Sequence, residues 1–273
     1  MTVVLCGVGA DTGNVRPVPA VDTDGRFEYV PIPEKGATSE TATYGSIERR
    51  HGDGDGDCVL ADLLDGVRPG SDGAWVTDEQ AIREQPVHHD PNFEALTYGE
   101  HRPGYVAKLR ELEAGDVVAF YGGFPGPDSQ YKHRYLFGYF TVADSPTLLD
   151  PGMSRAEKRA LLDDHPENAH AKRLGEHGDL YYHDPEFTER PRPVVVVPGR
   201  EPGGLLDRAR RLSDTRQGPN YYMAEDVAAV LEPASTTERG AHLGGFKPAV
   251  RCDLTRETFV EFAEGRDSGN RSR

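Results

Sequence analysis

Apolar positions along the chain fall into short blocks separated by turns rich in Gly, Pro and Asp, and two mid-chain blocks set the frame. Gly115-Asp-Val-Val-Ala-Phe-Tyr121 and Tyr135-Leu-Phe-Gly-Tyr-Phe-Thr-Val142 flank a polar loop, which predicts two neighbouring strands of a curved sheet. Pro193-Val-Val-Val-Val-Pro198 is a continuous apolar run bounded by prolines, the pattern of a strand at the centre of a sheet, buried on both faces. Val3 to Cys6 and Phe27 to Ile32 read as two further short strands with a long Gly-, Asp- and Pro-rich loop between them.

Helical signals sit between these blocks. Thr77 followed by Gln80 is a capping-box pattern for a helix that ends before Pro86, and Ser154 with Glu157 repeats it ahead of Ala160, Leu161 and Leu162. Val106, Leu109 and Leu112 share one face of a helix that stops at Gly115. Leu205, Leu206, Ala209 and Leu212 predict another helix, and Val227, Val230 and Leu231 one more before Pro233. With no internal repeat and no linker, the pattern predicts one α+β domain over residues 1–264, with a polar, disordered tail over 265–273. Its sheet is expected to be mixed, curved and partly barrel-like, flanked by helices; small nucleobase-binding barrels of the pseudouridine-synthase-and-archaeosine-transglycosylase (PUA-like) type run this way.

Charge narrows the function. A balance of 31 basic against 46 acidic residues, formally −15, argues against a protein that coats duplex phosphate over a broad surface. Aspartate is plentiful and lysine scarce, which reads as halophilic adaptation, and concentrated salt weakens phosphate contacts further. Cys6, Cys58 and Cys252 are too few and too widely spaced for a disulfide framework or a four-cysteine zinc site, which fits a reducing compartment. The N-terminus lacks a charged start with a long apolar run, and no later segment approaches a membrane span, so a cytoplasmic protein with no membrane partner is expected.

Candidate chemistry lies in the polar loops. Gly7-Val-Gly-Ala-Asp-Thr-Gly13 has the wrong spacing for a dinucleotide loop and reads as a glycine-rich turn exposing Asp11. His51 to Asp57 imitates a calcium loop but has Cys58 where the glycine belongs and Leu64 where the bidentate glutamate belongs. Pro31-Ile-Pro-Glu-Lys35 sets Glu34 and Lys35 at a strand end. Val87-His-His-Asp-Pro-Asn-Phe93 concentrates His88, His89 and Asp90 in one loop, a combination suited to metal ligation or general acid–base work. No third ligand stands at a diagnostic spacing, so no metal is assigned and no cofactor is named. His165-Pro-Glu-Asn-Ala-His-Ala-Lys-Arg173 offers Asn168, His170, Lys172 and Arg173 to a base edge or a phosphate, and serves equally as a solvated loop. Tyr121, Phe124, Tyr131, Tyr135 and Tyr139 present stacking faces, although strand aromatics more often fill a core.

Taken in order, Pro31-Ile-Pro-Glu-Lys35, His88-His-Asp-Pro-Asn92, the run Gly115 to Phe124 and Leu136-Phe-Gly-Tyr139 resemble the nucleotide modification associated domain 3 family, from the N-terminus to about Pro233. The resemblance implies an association with DNA base-modification systems, with other DNA-modification proteins as partners. Gly7-Val-Gly9 and Asn92 depart from the family pattern.

Two readings follow. In one, a modified base or nucleotide, free or extruded from single-stranded nucleic acid, is held by Tyr121, Phe124, Arg134 and Tyr139, with Asn168, His170 and Lys172 closing over it; stacking is worth about 1–3 kcal/mol. In the other, Asp11, Glu34, Lys35, His88 and Asp90 form an enzyme site, with His88 or Asp90 as general base and Lys35 steadying a developing anion. A third alternative is an acidic interaction protein with no small-molecule site.

Overall fold

The computed structural model describes residues 1–9, 13–51, 58–70, 73–127, 129–175, 181–183, 192–244 and 249–265. Asp11, the acidic run at 52–57, residues 178–180 and the tail 266–273 lie outside the described residues.

A seven-stranded mixed sheet curls into a half-barrel. β1 (Val3–Gly7) pairs in parallel with β7 (Val117–Gly126) and antiparallel with β13 (Val250–Cys252). The two mid-chain blocks form a long antiparallel pair, β7 with β8 (Ser129–Val142), from Val117 opposite Thr141 to Gly126 opposite Ser129, with shifts of register after Phe120 and after Pro125. β8 then pairs with β10 (Val194–Arg211), and β9 (Thr147–Leu149) continues along β10 where β8 leaves off. β6 (Thr97–Glu100) closes the other edge of β10. The valine run at the start of β10 is fully buried, as expected, but it lies one strand from the edge, with β7 and β8 nearer the centre.

Successive residues of a strand face opposite sides, and here both sides are covered, which is why these strands read as continuous apolar runs. Val4, Cys6, Val118 and Phe120 face an aromatic core with Phe27, Tyr29, Phe93, Tyr98 and Phe137, closed by α2 (Pro103–Leu109). Val3, Leu5, Val117, Ala119 and Tyr121 face α5 (Glu225–Leu231) and α6 (Arg256–Glu264). Gly138 admits Phe93 to the sheet: a Cβ there would stand 2.4 Å from the Phe93 ring. A separate small core around Tyr44, Leu60 and Ile82 joins α1 (Glu79–Glu84) to two short sheets, β2 (Val15–Arg16) with β4 (Gly66–Val67) and β3 (Ile32–Pro33) with β5 (Val87–His88). β11 (Ser213–Gln217) and β12 (Asn220–Met223) form a further two-stranded sheet.

Most helix signals hold, although α2 ends at Leu109, so that Leu112 lies beyond it and the stop comes before Gly115. Ser154 and Glu157 bond reciprocally ahead of α3 (Arg155–Asp163), and α5 stops before Pro233. The cap of α1 is Asp78, not Thr77, its carboxylate accepting from the Ala81 N–H. Two expectations are corrected. Leu205 to Leu212 is not a helix, since residues 205–211 belong to β10. Five steps along β10, from Leu205 to Arg210, span only two along β8, and this bulge buries Leu206, Ala209 and Leu212 at a spacing that mimics a helix. Of Phe27 to Ile32 only Ile32 pairs, and it does so with β5 outside the large sheet.

Candidate functional site

Three separate chain segments meet at one end of the sheet. The β3–β5 pair sets Ile32 opposite His88, and the Glu34 N–H donates to the Pro86 carbonyl at 2.9 Å, so Glu34 and His88 lie side by side. A tight turn follows β5, and the Asp90 N–H donates back to the His88 carbonyl at 2.8 Å. Asn92 and Thr97 exchange backbone hydrogen bonds, which folds β6 back until the Gly99 N–H donates to Asp90 Oδ1 at 2.9 Å. His170 rides on α4 (Ala169–Lys172), capped by Asn168, whose Oδ1 accepts from the His170 N–H while its Nδ2 donates to Thr97 Oγ1 at 3.1 Å. Backbone bonds from Ser39 to Lys172 and from Leu174 to Ala37 then hold Arg173 over Glu34.

Gly99 is required here because β6 and α4 touch. A Cβ at that position would stand 2.2 Å from His170 Cδ2 and 2.9 Å from Asn168 Oδ1.

The resulting polar cluster is nearly sealed. His88 Nδ1 bonds Glu34 Oε2 at 2.7 Å, and Arg173 donates from Nε to both Glu34 oxygens at 3.1 and 3.2 Å. His170 Nε2 lies 3.2 Å from Asp90 Oδ2, and His88 Nε2 lies 3.8 Å from the same oxygen. His170 Nδ1 bonds the Tyr182 hydroxyl. Against burial, the His88 hydrogen bond and the Arg173 guanidinium hold the Glu34 carboxyl well below the usual carboxylate range. Burial pushes Asp90 up to about 7 and brings His170 and His101 down to about 4. Burial and the Arg173 charge also lower His88, so these imidazoles are neutral at pH 7.

The cluster forms one wall of a cavity of about 400 Å³, within the range of small-molecule sites. Gly7, Val8, Gly9, Ile32 and Tyr98 supply apolar surface and backbone, and Glu100, His101, Arg102 and Arg173 the remaining polar edge. Both arginines are neutralised by the protein itself: Arg173 by Glu34, and Arg102 by Glu100, with the Arg102 guanidinium also 3.7 Å above the Tyr105 ring.

The family model for nucleotide modification associated domain 3 matches residues 2–260. The chain belongs to that family. The family description ties it to nucleotide modification; no curated protein and no solved structure matches. Among the described residues no helix is long and apolar enough to cross a membrane.

In this family member the residues singled out in the sequence separate into groups. Glu34, His88, Asp90 and His170 come together, with Asn168 behind His170. Lys35 is exposed and lies away from the cavity wall, and its N–H donates to Glu34 Oε1. Lys172 pairs with Glu40 and Glu167, at 3.1 and 3.0 Å. Tyr121, Phe124, Arg134 and Tyr139 do not surround one hollow. Tyr121 and Tyr139 pack on the α5–α6 face and Phe124 in the aromatic core on the other side of the sheet. Arg134 is buried, donating to the Leu243 and Gly244 carbonyls and standing 4.5 Å over the Tyr221 ring. Tyr139 borders a separate groove of about 500 Å³ and donates to Glu264. Sequence reasoning missed Gly99, Glu100, His101 and Arg102; the one local signal was a Gly-Glu-His-Arg run across the end of a strand, where side chains from a sheet end commonly face a cleft. The Tyr182 hydroxyl orients His170.

Proposed function

We propose that the protein is an enzyme that modifies or processes a nucleotide, taking the base end of that nucleotide into the cavity walled by His88, Asp90 and His170. The observation that carries this reading is the convergence of those three side chains, from β5, the loop after it and α4, on one point of the wall of a 400 Å³ cavity. Buried ionisable groups gathered at a cleft are costly to keep and mark chemistry more often than stability.

The character of the cavity favours a base over a phosphate. Arg102 and Arg173 spend their charge on Glu100 and Glu34, while the apolar surface of Val8, Ile32 and Tyr98 suits a planar ring. The formal charge of −15 opposes broad binding to duplex DNA, which leaves a free nucleotide or an extruded base as the substrate. Family membership supports the nucleotide class. Glu34 holds the His88 ring by its Nδ1, the Gly99 N–H holds Asp90 by Oδ1, and His101 adds a neutral imidazole at the rim.

The test is mass-spectrometric nucleoside profiling of host DNA and of the nucleotide pool, with the protein absent, present, or present as Asp90→Asn. The wild-type protein is expected to change the fraction of a modified nucleoside, and Asp90→Asn to give the profile of the strain without it. Identical profiles in all three, or full activity in Asp90→Asn, would refute the proposal.

A further inference from the structure

We propose that His88, Asp90 and His170 hold one divalent first-row transition-metal ion, bound through two imidazole nitrogens and one carboxylate oxygen with coordination positions open to the cavity. The inference goes beyond the nucleotide reading and rests on the side chains alone.

Each of the three residues has one polar atom tied to the protein and the other turned to a shared point. His88 is fastened by Nδ1 to Glu34, His170 by Nδ1 to Tyr182, and Asp90 by Oδ1 to the Gly99 N–H. On the inner side His170 Nε2 and His88 Nε2 stand 3.2 and 3.8 Å from Asp90 Oδ2, and one donor atom from each of the three residues lies within 4.8 Å of the others. Outer hydrogen bonds of this kind fix the tautomer and orientation of metal-binding histidines, and the Glu34–His88 pair is a carboxylate–histidine arm. An ordinary hydrogen-bonded cluster explains less. The 3.8 Å between His88 Nε2 and Asp90 Oδ2 exceeds a hydrogen bond, so nothing in that contact accounts for aiming both rings at one oxygen.

The spacing suits an ion. Donor atoms sharing an ion at about 2.1 Å stand roughly 3.0–3.4 Å apart, and His170 Nε2 to Asp90 Oδ2 is already 3.2 Å. His88 must move inward, since its distance to the same oxygen is 3.8 Å and the three donor atoms lie within 4.8 Å of one another. Two nitrogens and one oxygen, with no thiolate, select zinc, iron(II) or manganese(II) over calcium or magnesium. A substrate oxygen or water bound at the open positions would be polarised beside the base, which deepens the chemistry available to the cavity.

The test uses the full chain, stripped with a chelator and titrated with Zn²⁺ by calorimetry and with Co²⁺ by visible absorption, with no nucleotide present. Expected are one ion per chain and cobalt d–d bands without a thiolate charge-transfer band. Affinity should fall at least 100-fold in the His88→Ala/His170→Ala double variant and about 10- to 100-fold in Tyr182→Phe, which keeps every proposed ligand. His165→Ala, at a histidine bonded to Thr147, should match wild type. Absence of one-to-one binding in the wild-type chain, or equal affinity in the double variant, overturns the site. Because the titration contains no nucleotide, its failure is distinct from a failure of the nucleoside profile.

Discussion

Gly99→Ala adds one methyl group and removes no polar atom, yet it should dismantle the cluster. The new Cβ would stand 2.2 Å from His170 Cδ2, whereas carbon atoms settle at about 3.5 Å or more, so the imidazole must retreat by about 1.3 Å. That movement breaks the 3.2 Å contact to Asp90 and presses on Asn168, whose Oδ1 would lie 2.9 Å from the same methyl group. Overpacking of this kind costs about 1–3 kcal/mol, which in a chain of this size lowers the melting temperature by roughly 2–12 °C. The control is Gly104→Ala in α2, where a Cβ meets nothing within 4 Å and alanine is the better helix former. The assays are thermal melting followed by circular dichroism and the Co²⁺ titration. A Gly99→Ala protein that melts within about 1 °C of wild type and binds cobalt equally well would refute the packing of α4 on β6.

Other outcomes follow from the same geometry. Glu34→Gln leaves the Arg173 guanidinium, 15 % exposed, without its carboxylate, and should cost about 3 kcal/mol in urea unfolding at unchanged m; a loss under about 1 kcal/mol would mean that the pair is solvated. Phe93→Ala empties the space that Gly138 opens in the aromatic core and should cost about 3–5 kcal/mol by the same measurement. Asp62 accepts from the Val59 N–H and pairs with Arg83, which hold its carboxyl below the ordinary value. Its contribution is therefore full above about pH 4 and lost as pH falls through the folded value, so Asp62→Asn should lower stability modestly at neutral pH, leave it nearly unchanged below the folded value, and so flatten the acid limb of a stability–pH curve. With a formal charge of −15, raising KCl from about 0.1 to 1 M shortens the screening length from roughly 10 to 3 Å and should raise the melting temperature; a flat response would count against halophilic adaptation.

The sheet was legible because its pattern is local. A strand buried on both faces announces itself as a run of apolar residues, and Val117 to Tyr121, Tyr135 to Val142 and the valines of β10 did so, whereas the polar stretch between the first two, read as a loop, extends both strands. The second half of β10 was not, since the extra residues between Leu205 and Arg210 shift the face of burial and write a three-residue spacing into a strand. The site was half legible for a different reason. Glu34, His88 and Asp90 stood out as chemistry-bearing residues beside prolines, but burial, which makes them a cluster, comes from segments far away in sequence. The 37–39 and 172–174 backbones must pair before Arg173 reaches Glu34, and β6 must fold back on Asn92 before Gly99 can hold Asp90 and admit His170. Local periodicity carries no record of such meetings; one glycine with no room for a side chain does, once its neighbours are known. Gly99 thus joins the fold to the chemistry: its N–H fixes the carboxylate, its missing Cβ makes space for the imidazole, and no other residue type can do both.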